Sequence, residues 1–193
     1  MQNLKNKRIN RCLLCGQRKL RNIFSLGNLY ISNFVNKKEI NQGLRAPLSL
    51  MYCYKCTLIQ LSHIAPQELM YKKFYWYKSG INKTMRDELK DLYQATLKKI
   101  KLKKDDVILD IGANDGTLLK YYKKKGLITV GCEPAKNLKK ELSKNCKFMI
   151  NDFWSKKNLD KILLKNNLKK PKIITAIGMF YDLEFPNEFI KDA

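Results

Sequence analysis

One run of eleven residues constrains this chain more than any other: Val107-Ile108-Leu109-Asp110-Ile111-Gly112-Ala113-Asn114-Asp115-Gly116-Thr117. Its first five residues read as a buried strand, and the Gly-x-x-x-Gly turn after it lets the backbone approach a ligand closely before a helix begins. The next strand ends at Gly131-Cys132-Glu133-Pro134, which puts an acidic residue 23 positions beyond Asp110. A carboxylate at the tip of the second strand, about 20 residues on, is where a ribose diol is hydrogen-bonded in nucleotide-binding folds. The turn is not the G-x-G-x-x-G dinucleotide fingerprint, because Asn stands at position 114.

Around this run the chain alternates strand and helix. Val107–Ile111, Leu127–Cys132, Lys147–Ile150 and Lys172–Ile177 read as strands, and residues 115–125, 135–145 and 155–168 as helices. That alternation predicts an α/β fold with a parallel, doubly wound, Rossmann-like sheet. The sheet is expected to be incomplete after its fourth strand, with Pro186–Ala193 opening the next helix, as in an N-terminal piece of a longer protein. Upstream, Met85, Leu89, Leu92, Tyr93, Leu97 and Ile100 form a 3.6-period stripe, so residues 83–101 predict an amphipathic helix. Residues 1–65, with short apolar runs and Cys, Gly and Pro punctuation, read as strands and turns. The expected divisions are a small domain over 1–65, an aromatic linker and helix over 66–101, and the α/β domain over 102–193. Hydrophobic residues make up 45% of the chain, enough for a packed core. Lacking an 18-residue apolar run and an N-terminal apolar leader segment, the sequence predicts a cytoplasmic location with no membrane partner.

The small domain carries Cys12-Leu13-Leu14-Cys15 and Cys53-Tyr54-Lys55-Cys56, two CxxC pairs with 37 residues between them. Thiolates two residues apart on a tight turn can share one tetrahedral Zn²⁺, and four of them close the coordination sphere, making a structural ion. A reduced compartment disfavours disulfides, and a small segment gains from a metal staple. Reduced structural cysteines or redox-active pairs are the alternatives. Cys132 and Cys146 read as a strand residue and a helix-end residue. His63, the one histidine, reads as a turn or half-buried residue.

The formal charge is +22, which invites a polyanion partner. Yet the basic residues are 33 Lys and 6 Arg spread over nearly every predicted helix, whereas nucleic-acid surfaces lean on clustered Arg. Solvated lysine faces are the simpler account, so nucleic acid is not the expected partner.

The pattern D-x-G-x-x-x-G followed by Glu133 resembles class I S-adenosylmethionine (SAM) methyltransferases. With the cysteine pairs, the linker Tyr75-Trp76-Tyr77-Lys78-Ser79-Gly80 and the run Gly131-Cys132-Glu133-Pro134-Ala135-Lys136-Asn137, the chain resembles C-methyltransferases of nucleotide-linked keto-deoxysugars. The resemblance covers residues 12–192. It implies SAM contacts at Asp110, Gly112, Asn114, Gly116 and Glu133, adenine contacts at Asp152 and Phe153, and a linker whose Tyr77 and Ser79 lie over cofactor or sugar. It implies zinc at Cys12, Cys15, Cys53 and Cys56. It further implies that a proton leaves the carbon beside a ketone and the resulting enolate attacks the methyl of SAM, which requires a base. In the family that base follows a fifth strand, beyond residue 193. Asp182 stands where many members carry a His after strand four, and Tyr181 and Asp182 either face the substrate or open the next helix. The rivals are a zinc-containing RNA methyltransferase and a SAM-binding protein that catalyses nothing.

Overall fold

The structure, a computed structural model, describes residues 7–31, 36–41 and 43–193. Residues 1–6, read above for a leader, lie outside the described residues. The chain divides into two compact units, one of residues up to Tyr71 plus Leu183–Lys191, the other of Lys72–Asp182 with Asp192–Ala193.

The first unit is built on two small antiparallel sheets. Strands β1 (Lys7–Arg8), β2 (Leu20–Tyr30), β3 (Arg45–Cys53), β4 (Ile59–Leu61) and β5 (His63–Ile64) pair as β1-β5 and as β2-β3-β4. Each CxxC pair forms a turn beside a strand: Cys12–Cys15 precedes β2, and Cys53–Cys56 joins β3 to β4. The side chain of Gln60, buried on β4, accepts from Leu13 N–H (2.9 Å) and donates to Arg11 C=O (3.3 Å), which ties the first cysteine turn to the sheet. β2 is an edge strand, bulged between Asn22 and Phe24 and between Ser25 and Asn28, with Ile23, Phe24, Leu26 and Leu29 exposed. Bulges of this kind twist an edge away from unwanted pairing.

In the second unit, helix α1 (Lys83–Lys99) is capped by Asn82, whose side-chain oxygen accepts from Thr84 N–H at 2.8 Å. Strands and helices then alternate: β6 (Val107–Ile111), α2 (Thr117–Lys124), β7 (Ile128–Cys132), α3 (Lys139–Asn145), β8 (Phe148–Ile150), α4 (Lys156–Lys165) and β9 (Pro171–Thr175). All sheet pairs are parallel, in the order β8-β7-β6-β9. The central β6 is fully buried, as expected of a strand covered on both faces. Leu89 of α1 joins Ile108, Leu118, Leu119, Tyr122 and Leu142 in the core, and Tyr93 meets Tyr122 edge-on with ring centroids 4.9 Å apart.

The alternation predicted from the sequence is present, with element ends that differ for local reasons. The helix expected from 115 begins at Thr117 because Gly116 is left-handed, φ +77°. The helix expected over 135–145 opens with a 3₁₀ turn at Lys136–Leu138 and is α-helical over Lys139–Asn145. The helix expected to reach 168 stops at Lys165, two residues before left-handed Asn167, φ +49°. The fourth strand, expected to reach Ile177, ends at Thr175 and begins on Pro171, whose missing N–H is tolerated at a strand start.

Helix α5 (Pro186–Asp192) lies almost wholly within the first unit. Lys7 pairs with Glu184, Phe189 is buried, and Asn187 Nδ2 donates to Leu14 C=O at 2.9 Å, inside the first cysteine turn. No helix among the described residues is long and apolar enough to cross a membrane.

Candidate functional site

The four predicted metal ligands come together. The Sγ atoms of Cys12, Cys15, Cys53 and Cys56 all lie within 4.8 Å of one another, with Cys12–Cys56 at 3.4 Å and Cys15–Cys53 at 3.6 Å. Tetrahedral Zn²⁺ with Zn–S near 2.3 Å sets its sulfurs about 3.8 Å apart, whereas a disulfide needs about 2.05 Å. All four cysteines are free thiols. The two turns have the same construction. Gly16 N–H donates to Cys12 C=O and Thr57 N–H to Cys53 C=O, both at 2.9 Å, while Cys12 N–H and Cys53 N–H donate to Gln17 C=O and Leu58 C=O. Each turn closes on a left-handed residue, Gly16 (φ +72°) in one and Thr57 (φ +63°) in the other. Backbone N–H groups of Cys56 and Lys55 aimed at the Cys53 sulfur lower its thiol pKa, whereas the Cys56 thiol is pushed up to about 12, its Leu58 amide outweighed by burial and the sulfurs of Cys12, Cys15 and Cys53. Four thiolates this close need a cation between them. The donor set and its spacing fit zinc. His63 takes no part; it lies in β5, its Nδ1 2.8 Å from Ser62 Oγ.

The second site lies at the carboxyl ends of β6 and β7. Gly112 (φ +74°) and Gly116 (φ +77°) bracket the turn, and a Cβ on Gly112 would stand 3.0 Å from Met179 Cγ. Gly112→Ala is therefore expected to destabilise the protein by about 1–2 kcal/mol, mainly through its left-handed backbone. A urea midpoint unchanged from wild type would contradict this. Glu133, 5% exposed, has both carboxylate oxygens engaged: Oε2 accepts from Asn114 N–H and Oε1 from Ala135 N–H, each at 2.9 Å. Burial raises its pKa and these two amides oppose the rise. Each oxygen keeps a further acceptor site, so the carboxylate is fixed in place and still able to receive hydroxyl groups.

Asp110, 4% exposed, faces the edge strand and accepts a 2.6 Å hydrogen bond from Thr175 Oγ1. Burial pushes its pKa up to about 7, the Thr175 bond working against the rise and the Glu133 charge adding to it. Asp152 and Phe153 follow β8. The Lys72 ammonium sits 3.0 Å from Asp152 Oδ1 and 5.6 Å from the Phe153 ring centre, and holds the Asp152 carboxyl below its usual range.

Tyr77 and Ser79 reach this site through a strap, residues 75–80, laid along the glycine turn. Asn114 Oδ1 accepts from Ser79 N–H (2.9 Å) and its Nδ2 donates to Tyr77 C=O (3.1 Å), so this predicted cofactor ligand spends its side chain on the strap. Three further holders escaped the sequence reading. Asn137 Oδ1 accepts from Tyr75 N–H (2.9 Å) and its Nδ2 donates to Tyr75 C=O (3.0 Å); Asp115 Oδ2 accepts from Gly80 N–H (2.7 Å); Arg86 donates to Gly80 C=O (2.8 Å). Asn137 and Asp115 lie inside the two motif runs, so their position was legible and their work was not. Tyr181 and Asp182 form a 3₁₀ turn after β9, and Tyr181 is 78% exposed. Tyr75 feels both: burial first, then Asp182, Tyr181, Glu133 and Tyr77, raises its phenol pKa.

Comparison with known proteins agrees with this geometry. Residues 81–193, more than half of the chain, match a family model described as a methyltransferase domain. The chain belongs to this methyltransferase family. Ahead of that domain, residues 12–71 match a zinc binding domain, which brackets all four cysteines. The C-methyltransferase NovU of Streptomyces niveus is 24% identical over 132 residues, 67% of this methyltransferase-family chain. The chain spans about a third, 31%, of the length of that relative. A methyltransferase domain implies SAM as cofactor, and the glycine turn beside a fixed carboxylate fits it. The zinc binding domain and its cysteine cluster imply zinc.

Proposed function

We propose that this chain serves a cytoplasmic SAM-dependent C-methyltransferase whose substrate is a nucleotide-linked deoxysugar, methylated at the carbon beside its ketone. The observation that carries the cofactor part is Glu133, buried at the tip of β7 with each oxygen fixed by one backbone amide and each still free to accept from a ribose hydroxyl. Left-handed Gly112 and Gly116 bend the turn so that its backbone can approach the methionine end beside Asp110. Asp152 and Phe153, at the end of β8, take the adenine edge and face, and Tyr77 and Ser79 cover the cofactor from the strap. SAM supplies an electrophilic methyl group. The carbon as acceptor is supported by the name of NovU, a C-methyltransferase. The sugar rests on the resemblance of the cysteine pairs and aromatic linker to that family. Tyr181 and Asp182 would face the substrate, a reading supported by their influence, after burial, on the raised phenol pKa of Tyr75.

Calorimetric titration of the zinc-loaded chain with SAM tests this reading. One SAM per chain is expected, and Glu133→Ala is expected to weaken binding about 10–100-fold, the worth of charge-assisted hydrogen bonds to two hydroxyls. Absence of any SAM binding by the wild-type chain overturns the reading. A zinc-containing RNA methyltransferase is the second reading, favoured by the +22 charge. Tight RNA binding that falls steeply with salt, together with no response to nucleotide sugars, would select it.

A further inference from the structure

We propose that Asn137 is a positioning residue for the cofactor site: its side-chain amide, paired with that of Asn114, clasps the strap 75–80 over the glycine turn and thereby sets the affinity for SAM. This rests on the cofactor reading above and extends it to a residue with no direct part in cofactor contact.

An asparagine amide offers one acceptor oxygen and two N–H donors, the complement of a peptide unit. Asn137 uses both sides on a single residue, accepting from Tyr75 N–H at 2.9 Å and donating to Tyr75 C=O at 3.0 Å. Asn114 repeats the device two residues on, with Tyr77 C=O and Ser79 N–H. The strap belongs to neither strand nor helix, so these amides supply the pairing that a neighbouring strand would supply in a sheet. Apolar burial contributes little, for Phe74, Trp76 and Tyr77 are each more than 40% exposed.

The clasp is coupled to the ligand-binding carboxylate through a short loop. Asn137 lies in the 3₁₀ turn Lys136–Leu138, two residues after Ala135, whose N–H holds Glu133 Oε1. Asn114 contributes the amide that holds Glu133 Oε2. The same two loops therefore fix the carboxylate and the strap, and the strap's Tyr75 lies in the field of Glu133 and Asp182. A displaced strap uncovers the side from which a bound cofactor would meet Tyr77 and Ser79.

The experiment compares wild type and Asn137→Ala, both zinc-loaded. Three readouts are taken: SAM affinity by calorimetry, amide hydrogen exchange of residues 73–80 and 107–111, and Trp76 emission in a Trp154→Phe background. Loss of two neutral hydrogen bonds is expected to weaken SAM binding about tenfold. Exchange is expected to rise at Tyr75 and Ser79 while Ile108–Ile111 stay protected, and Trp76 emission is expected to lose its response to SAM. Equal SAM affinity in the two proteins overturns the inference and leaves the cofactor reading standing. So does exchange that rises equally in the strap and in β6, which would mark Asn137 as a general stability residue. Wild type that fails to bind SAM overturns the cofactor reading and this inference with it.

Discussion

Removing zinc is expected to unfold the first unit and leave the second intact. The first unit has little else to hold it: beyond Cys12 and Cys53, its buried residues include Ile9, Ala46, Ser49, Gln60, Ser62 and Phe189, a thin core for two small sheets. Structural zinc sites contribute about 10–16 kcal/mol of apparent binding energy at neutral pH, far more than such a core supplies. The effect should extend beyond residues 12–56, because Asn187 donates to Leu14 C=O within the first cysteine turn and Lys7 pairs with Glu184. Chelation is therefore expected to expose the amides of 9–17, 51–61 and 183–191 to hydrogen exchange while Val107–Ile111 remain protected. Metal analysis is expected to return one zinc per chain, and Cys53→Ser to behave like the chelated protein. A reduced protein that holds no metal, yet keeps the first unit protected, would refute this and return the cysteines to a plain structural role. Ready formation of Cys12–Cys15 and Cys53–Cys56 disulfides in a metal-free protein would mark redox pairs instead.

Much of this architecture was legible because it is local. Left-handed glycines, a continuous apolar strand and a carboxylate 23 residues on each leave a mark at fixed spacing, so β6, the turn and Glu133 could be placed from residues alone. The cysteine pairs were legible for the same reason, although the gap between them hid that the second turn is the β3–β4 connection. What the sequence concealed are side chains that act on distant backbone. Asn137 meets Tyr75 across 62 positions, and Asn114 meets Ser79 across 35. No periodicity marks an amide that serves as a substitute strand, and in the motif Asn114 reads as a ligand contact. The placement of Leu183–Lys191 with the first unit was hidden too, since a helix after a fourth strand reads as part of the same doubly wound sheet.

Asp110→Asn is expected to make the ligand-free protein more stable at alkaline pH and less able to bind SAM. The carboxyl of Asp110 is 4% exposed and its pKa is pushed up to about 7, with burial the largest cause. Below pH 4 the group is protonated in folded and unfolded chains alike and adds no pH dependence. From there to about pH 7 the unfolded chain has released its proton while the folded chain still holds one, so this group makes stability fall as pH rises. Above pH 7 both are ionised and the loss levels off at about 4 kcal/mol. Glu133, also raised by burial, acts in the same direction. Asparagine removes the charge while its oxygen still accepts from Thr175 Oγ1, but its new N–H₂ lacks an assured partner, a cost of about 1–3 kcal/mol. The variant should gain about 1–3 kcal/mol over wild type at pH 8 and lose that advantage by pH 5. Stabilities of the two proteins that run parallel from pH 5 to 8 would show that Asp110 is not the strained group. SAM carries a sulfonium cation, and a buried carboxylate held by the neutral Thr175 hydroxyl and repelled by Glu133 is what such a ligand would neutralise. SAM should therefore raise the wild-type melting temperature more at pH 8 than at pH 6, and the variant's by a smaller amount that does not change with pH. A carboxylate that costs stability in the empty protein and favours the bound one is the stability–function trade-off expected where a site is built for its ligand.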